Sequence, residues 1–319
     1  MMSLADFSEK QILFIESKFG SANSLQFQND NILYKKDYRN NNRISCYKVF
    51  AIFIIGNCTI SSVLIKKCKK YGISLFLLGD NFECYATMSA GLESNFILRD
   101  KQYKKEDELS MAKILVKNKV INQFLLLREK GFQMNFRDRV IELDRKLNRI
   151  KDEKELLGME GNYSKDFFRE YFRSIGWIRR APRTKFDPNN VLLDIGYTFM
   201  FNFVDALLKL YGFDTYKGFY HKLFFQRKSL SCDIVEPFRC IIDRQLLKAY
   251  NLRQINNDDF EYKNGKYVLS FDKQRKYVGI FAQAVMDNKE DIFNYVRDFY
   301  RFFVVEKGDF PEFLIINKK

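Results

Sequence analysis

The strongest constraint in this sequence is a change of hydrophobic period near Leu92. Ahead of it, apolar side chains alternate with polar ones or run in short blocks closed by turn residues. Beyond it they recur every three to four residues over long stretches. A period of two places side chains alternately on the two faces of a strand, whereas a period near 3.6 gathers them on one stripe of a helix. The chain therefore reads as α+β, with a β-rich unit over residues 1–91 and a larger helical unit over residues 92–319. At roughly 100–200 residues per domain, the length agrees with two.

In the first unit, Ser24–Gln28 and Ile32–Lys36 flank the turn residues Asn29-Asp30-Asn31, which predicts a hairpin. Val49–Ile55 is an unbroken apolar run of strand length, closed by Gly56-Asn57. A short helix follows from about Ser61 to Lys70 and stops at Gly72; strands over Ile73–Leu78 and Phe82–Met88 then flank Gly79-Asp80-Asn81. In the second unit the spacing predicts helices over Glu108–Lys130, Arg137–Leu157, Ser164–Ile175, Val191–Tyr211 and Arg239–Tyr250. Asn189 or Asn190 is expected to cap the fourth of these and Gly212 to end it. Asn264-Gly265, set between Phe260–Lys263 and Lys266–Leu269, predicts one hairpin among the helices.

Charge narrows the function. With 54 Lys+Arg against 40 Asp+Glu the net charge is +14, on a composition (46% hydrophobic, 16% aromatic) that can bury real cores. That excess points to a polyanion, most simply nucleic acid, and more so than to a membrane surface. Residues 96–319 carry 43 basic and 32 acidic side chains, so the helical unit holds most of the excess. A single histidine excludes any site that needs two imidazoles from one chain. The six cysteines form no C-x-x-C pair, and no signal peptide or apolar run of about 18 residues is evident, so a cytoplasmic protein with reduced thiols is expected.

The candidate chemistry lies around that histidine. His221 stands twelve residues before Asp233, and Glu236 follows three later, a spacing that puts two carboxylates about one helical turn apart. Pro237 forbids an undisturbed helix through this point. Upstream, Glu160 is closely flanked by Gly158 and Gly161, each costing about 1 kcal/mol in a helix relative to Ala; small neighbours suit a close approach of backbone or ligand. One imidazole with two or three carboxylates suits Mg²⁺ or Mn²⁺, which polarises a phosphoryl oxygen. Taken singly, each of these residues also has an ordinary reading: a structural or surface histidine, a solvated helix face, an amphipathic helix start.

Taken together, Gly218-Phe219-Tyr220-His221, the step of twelve to Asp233, then Glu236, Phe238-Arg239 and Asp243, resemble the CRISPR spacer-acquisition integrase family, the universal adaptation endonuclease/integrase of those systems. Gly158-Met159-Glu160-Gly161-Asn162 is similar to the family's G-x-E-G motif. Arg179-Arg180-Ala181-Pro182-Arg183, Asp187-Pro188-Asn189-Asn190-Val191-Leu192-Leu193 with Gly196-Tyr197, and Asn95, Arg99 and Gln102 also have counterparts. The resemblance covers most of residues 92–285.

The resemblance implies a β-sandwich-like N-terminal domain that serves dimerisation, joined to an all-helical catalytic domain with one β-hairpin. It implies a homodimer that binds a small ferredoxin-like partner protein and double-stranded DNA, both the prespacer and the repeat array. The implied reaction inserts short duplexes into a CRISPR array by 3′-OH transesterification. Glu160, His221 and Glu236 are the implied metal ligands for Mg²⁺ or Mn²⁺, with Asp233 as a fourth catalytic acid. Arg173, Arg179, Arg180, Arg183 and Lys185, with Arg227, Lys228 and Arg239 nearer the acids, are the expected nucleic-acid contacts, although a solvated surface explains such clusters too. Phe167, Asp194 and Cys240 depart from the family pattern and touch no implied metal ligand. A scaffold-type DNA-binding member without catalysis, or a transposon-type integrase, are the alternatives.

Overall fold

The computed structural model describes residues 2–17, 22–37, 39–79, 82–91, 95–181, 184–222, 224–305 and 309–315. Asp80, Asn81, Leu92, Pro182 and Arg183, all used above, lie outside the described residues.

The N-terminal part consists of α1 (Leu4–Ser8), β1 (Gln11–Ser17), β2 (Ser24–Gln28), β3 (Asn31–Lys36), β4 (Arg39–Ser45), β5 (Val49–Gly56), β6 (Thr59–Ile60), α2 (Ser62–Lys70), β7 (Ser74–Leu78) and β8 (Cys84–Met88). These strands make two four-stranded sheets, ordered β1-β5-β7-β8 and β4-β3-β2-β6. Strands β1, β5 and β7 are parallel, and β8 closes its edge antiparallel. Asn29 and Asp30 both have positive φ, as a tight two-residue hairpin between β2 and β3 requires.

β5 explains its own sequence. Val49, Ile52 and Ile54 pack with Leu25, Ile32 and Leu64 between the sheets, while Phe50, Phe53 and Ile55 face the helices. A strand covered on both faces has no polar side to alternate with. β4 is the opposite case: the run Arg-Asn-Asn-Asn-Arg-Ile-Ser lies on a sheet edge and pairs with β3 through its backbone, so its sequence carries no strand period. The period-based reading above leaves β4 unassigned for this reason, and β1 is also absent from it.

The helical part contains α3 (Phe96–Tyr103), α4 (Glu108–Glu129), α5 (Phe136–Arg149), α6 (Glu153–Tyr171), α7 (Pro188–Tyr211), α8 (Ser229–Val235), α9 (Arg239–Asn251), the hairpin β9 (Phe260–Lys263) and β10 (Lys266–Leu269), then α10 (Phe271–Asp287) and α11 (Lys289–Val305). α10 and α11 were not among the expected helices. The α+β class holds, strands first and helices after. A single core crosses from sheet to helices: Phe14 and Phe53 meet Phe199 of α7 edge-on at 4.9 and 5.4 Å, and Phe7 stacks on Phe293 of α11 at 4.4 Å.

α7 is the axis of that core and is buried on nearly every side. It is long and apolar enough to cross a membrane, but 83% of its apolar window is buried within the protein. Its cap is Asp187 rather than Asn189 or Asn190. The Asp187 carboxylate accepts from Asn190 N at 2.8 Å, and Pro188 takes the first helical position, where its fixed φ fits and its missing N–H costs nothing.

The largest departure concerns Glu160. The sequence suggests a break at its glycines, but α6 runs straight through them, and the break falls at Ile150–Asp152 instead. Ile150 and Asp152 are extended, and Asp152 caps α6 by accepting from Glu155 N at 3.0 Å. A capped start and tertiary packing outweigh the intrinsic cost of two glycines. A Cβ at Gly158 or Gly161 would meet nothing within 4 Å, so neither glycine is there for a close approach inside this chain.

Candidate active site

Four segments converge on the acids: α4, the middle of α6, the loop between α7 and α8, and the turn between α8 and α9. The loop is fixed from below by α3. Asn95 Nδ2 donates to Tyr211 O at 3.0 Å, Arg99 Nε to Gly212 O at 3.1 Å, and Gln102 Nε2 to Asp214 O and Lys217 O at 2.8 and 2.7 Å. Gly212 has φ +93°, and a Cβ there would stand 2.5 Å from Asn95 Cβ, so the chain needs glycine at this corner.

The loop then wraps around Asp233. This carboxylate is fully buried and accepts four hydrogen bonds: Phe219 N and Tyr220 N on Oδ2 at 2.7 and 3.0 Å, His221 N and His221 Nδ1 on Oδ1 at 2.8 and 2.7 Å. A Cβ at Gly218 would lie 2.7 Å from Asp233 Oδ2, so the cradle closes only on glycine. With both oxygens engaged, Asp233 is no free ligand. Its role is to hold the His221 ring with Nδ1–H as donor, which leaves the Nε2 lone pair available.

Three residues on, α8 ends before Pro237, and Glu236–Phe238 forms a single 3-10 turn before α9 restarts. That turn rotates Glu236 away from Asp233 and into the gap facing α6. Its Oε1 accepts from Arg239 Nε at 2.9 Å and its Oε2 from Lys119 Nζ of α4 at 2.6 Å. Burial alone would raise the Glu236 carboxyl, but Arg239, Lys119 and His221 together bring it down to about 2. Lys119 also donates to Glu160 Oε1, which accepts from Ser164 Oγ at 2.8 Å as well. Burial works against the Lys119 charge, yet Glu236 and Glu160 hold its pKa above the ordinary value.

Glu160 and Glu236 thus face each other across one ammonium, with the His221 ring close enough to act electrostatically on Glu236. Among the described residues, no three His, Cys, Asp or Glu side chains converge closely enough to hold an ion as they stand. The donor set nevertheless fits a hard or borderline divalent cation: two carboxylates already drawn around a positive charge, one imidazole with a free nitrogen, and a buried Tyr220 hydroxyl with no hydrogen-bond partner among the described residues.

Of the basic residues singled out in the sequence, Arg180, Lys185, Arg227, Lys228 and Arg239 line one cleft of about 1440 Å³ between β8 and the helices. Three of them also serve the protein's own acids. Arg180 pairs with Asp194 at 2.5 Å, Lys228 with the buried Asp205 at 2.9 Å, and Arg239 with Glu236. Arg173 is exposed and pairs with Glu170, and Arg179 lies over the Phe186 ring; neither lines the cleft. Arg183 lies outside the described residues. Of the family departures, Phe167 and Cys240 are buried and Asp194 lines the cleft. Phe167 stacks on Tyr171, Cys240 is buried against Pro237 O, and Asp194 neutralises Arg180.

Sequence reasoning missed Lys119 and Ser164, and it named Tyr197 only as part of a motif; the Tyr197 ring lies under Arg239 at 4.6 Å while its hydroxyl donates to Asp243. A signal for Lys119 existed. Asn118, Lys119, Asn122 and Gln123 place polar groups among the apolar positions of α4, where a core helix would carry none without a task for them.

A model of the family described as CRISPR associated protein Cas1 matches residues 19–283. The chain belongs to the Cas1 family. Among its Cas1 relatives, a protein named CRISPR-associated endonuclease Cas1 1, from Thermodesulfovibrio yellowstonii, is 30% identical over 275 residues, covering 80% of this chain and 86% of its own. Two solved structures share the fold at lower identity. A casposase bound to an integration product superposes with a TM-score of 0.79 at 20% identity, covering 94% of this chain and 92% of its own. The chain of a Cas6-RT-Cas1–Cas2 complex gives 0.76 at 22% identity, covering 94% of this chain and 35% of its own.

Proposed function

We propose that this protein is a metal-dependent DNA endonuclease/integrase that inserts short duplexes, as new spacers, into a CRISPR repeat array. The observation that carries the reading is the pair of carboxylates, Glu160 and Glu236, drawn around one cation beside an imidazole whose free nitrogen Asp233 sets. Membership of the Cas1 family supplies the biological setting.

Glu160, Glu236 and His221 Nε2 would hold Mg²⁺ or Mn²⁺, which stabilises charge on the phosphoryl oxygens and on the leaving oxygen of an in-line displacement. The chain's own groups do the rest. Asp233 fixes the His221 tautomer, Arg239 holds Glu236 in place, and the cations of the cleft neutralise strand phosphates. In the joining step the 3′-oxygen of the incoming strand bonds to a repeat phosphorus, and the bond from that phosphorus to the repeat's own 3′-oxygen breaks. The attacking hydroxyl loses its proton to solvent and the leaving oxygen gains one. One phosphodiester is exchanged for another, so no external energy source is needed. With water in place of the hydroxyl, the same site hydrolyses DNA.

A second copy of the chain and the small ferredoxin-like adaptation protein complete the proposed assembly, acting in the cytoplasm. The solved complex that names Cas1 with Cas2 supports a protein partner of this kind. The test is strand joining. Purified protein with Mg²⁺ or Mn²⁺ should join a short duplex to supercoiled plasmid carrying a repeat, and His221→Ala should not. Equal joining rates for His221→Ala and wild type would refute the site, and binding without joining under either metal would leave a scaffold.

A further inference from the structure

The two acids assigned to the metal already share a cation. Lys119 rises from α4 between Val116 and Val120, both buried, and its own side chain is 13% exposed. Its ammonium donates to Glu160 Oε1 and, at 2.6 Å, to Glu236 Oε2. The remaining Glu236 oxygen is held by Arg239, and Glu160 Oε1 also accepts from Ser164. Both Glu236 oxygens are thus held by cations, and one oxygen of each acid is joined to the other through Lys119.

A divalent ion needs direct oxygen ligands, at about 2.0–2.1 Å for Mg²⁺. An ammonium hydrogen-bonded to one oxygen of each acid fills the space that an ion bridging those two oxygens would need. Without any cation, two facing carboxylates in a half-dry gap repel each other and lose hydration at once. We propose that Lys119 is the counter-ion of the metal-free site and competes with the divalent cation for Glu160 Oε1 and Glu236 Oε2. Metal uptake is then an exchange, in which the ion displaces Lys119 Nζ on its flexible stem. The inference rests on the assignment of Glu160 and Glu236 as metal ligands, and it adds a residue that holds the acids together and weakens metal binding when no substrate is present.

Mn²⁺ titration followed by EPR of the free ion tests this without any DNA. Lys119→Met keeps the length of the side chain and removes the charge. It should bind Mn²⁺ at least about tenfold more tightly than wild type, the size expected for removal of one close competing charge. Metal-free Lys119→Met should also unfold at a lower temperature than wild type, and saturating Mn²⁺ should close that gap. Lys119→Arg keeps a cation and should bind Mn²⁺ no more tightly than wild type. Lys119→Met binding Mn²⁺ equally or less tightly, while Glu160→Gln abolishes binding, overturns the competition and leaves the metal site standing. Glu160→Gln and Glu236→Gln titrating like wild type overturns the metal site itself. Should Lys119→Met fold only when Mn²⁺ is present, the counter-ion role is supported; a Lys119→Arg protein that binds Mn²⁺ more tightly than wild type contradicts it.

Discussion

Asp233→Asn separates positioning from ligation more sharply than any other single change here. The aspartate is fully buried and accepts from three backbone N–H groups and from His221 Nδ1. An asparagine has one acceptor oxygen and one NH₂. If the NH₂ replaces Oδ2, it meets the N–H groups of Phe219 and Tyr220, two donor–donor clashes. If it replaces Oδ1, it meets only His221 N–H, because the imidazole can shift its proton to Nε2 and accept at Nδ1. The second arrangement is the cheaper one. It still loses one charge-assisted hydrogen bond outright and turns the other three into neutral ones. At about 1.5–3 kcal/mol for a bond to a charged group, the loss is about 3 kcal/mol, a large share of a typical 5–15 kcal/mol stability. The chain has one histidine, so its two ring nitrogens can be followed by long-range ¹H–¹⁵N NMR without assignment. The expected result is a drop of about 3 kcal/mol in urea unfolding, a tautomer switched to Nε2–H, and strand joining lost because Nε2 no longer offers a lone pair to a metal. An Asp233→Asn protein with wild-type stability and the wild-type tautomer would refute the positioning role.

Two further outcomes follow from the same structure. Gly158→Ala and Gly161→Ala, both on an exposed face of α6 with open space for a Cβ, should each stabilise the protein by about 1 kcal/mol in denaturant unfolding; a loss of stability in both would show that the face is not open, and a loss of joining with a gain in stability would show that DNA or a partner packs there. Asp243 is raised to about 7, burial outweighing the Tyr197 hydrogen bond and Arg239, while in the unfolded chain it titrates near 3.9. The native state therefore keeps a proton that the unfolded state releases, so this group's stabilisation is present below about pH 4 and is lost as pH rises through about 7. Glu236, held at about 2, acts in the opposite sense: its contribution is present above about pH 4.3 and is lost as pH falls toward 2. Unfolding free energy measured against pH should show Asp243→Asn flattening the decline toward neutral pH, leaving the share of Glu16, which burial also raises to about 7. An unchanged slope would mean that Asp243 is ionised in the native protein.

The hairpins, the doubly covered β5, the α7 helix and its glycine stop were legible because each depends on local chemistry: positive φ at Asn29-Asp30 and Asn264-Gly265, an unbroken apolar run, a glycine at φ +93°. Strands whose partners rather than side chains define them, β4 above all, were not legible. Nor was the course of α6, where a local preference for breaking at Gly158 and Gly161 gives way to packing over the rest of the helix.

For the candidate site, the amino-acid order alone determined which residues carry charge and where: Glu160, His221, Asp233 and Glu236, with a Pro that must interrupt the helix after Glu236. It did not determine what each acid faces. Spacing of i and i+3 is the same for two carboxylates that act together and for two that turn apart, and here one 3-10 turn sends Glu236 to Lys119 and Arg239 while Asp233 is enclosed by the loop it orders. Lys119 stands 41 residues from Glu160 and 117 from Glu236, so no local rule could join them. Only the packing of α4 against α6 and the Glu236–Phe238 turn brings the three charges into one gap. There the low exposure makes pairing obligatory, because a buried charge without a partner costs several kcal/mol.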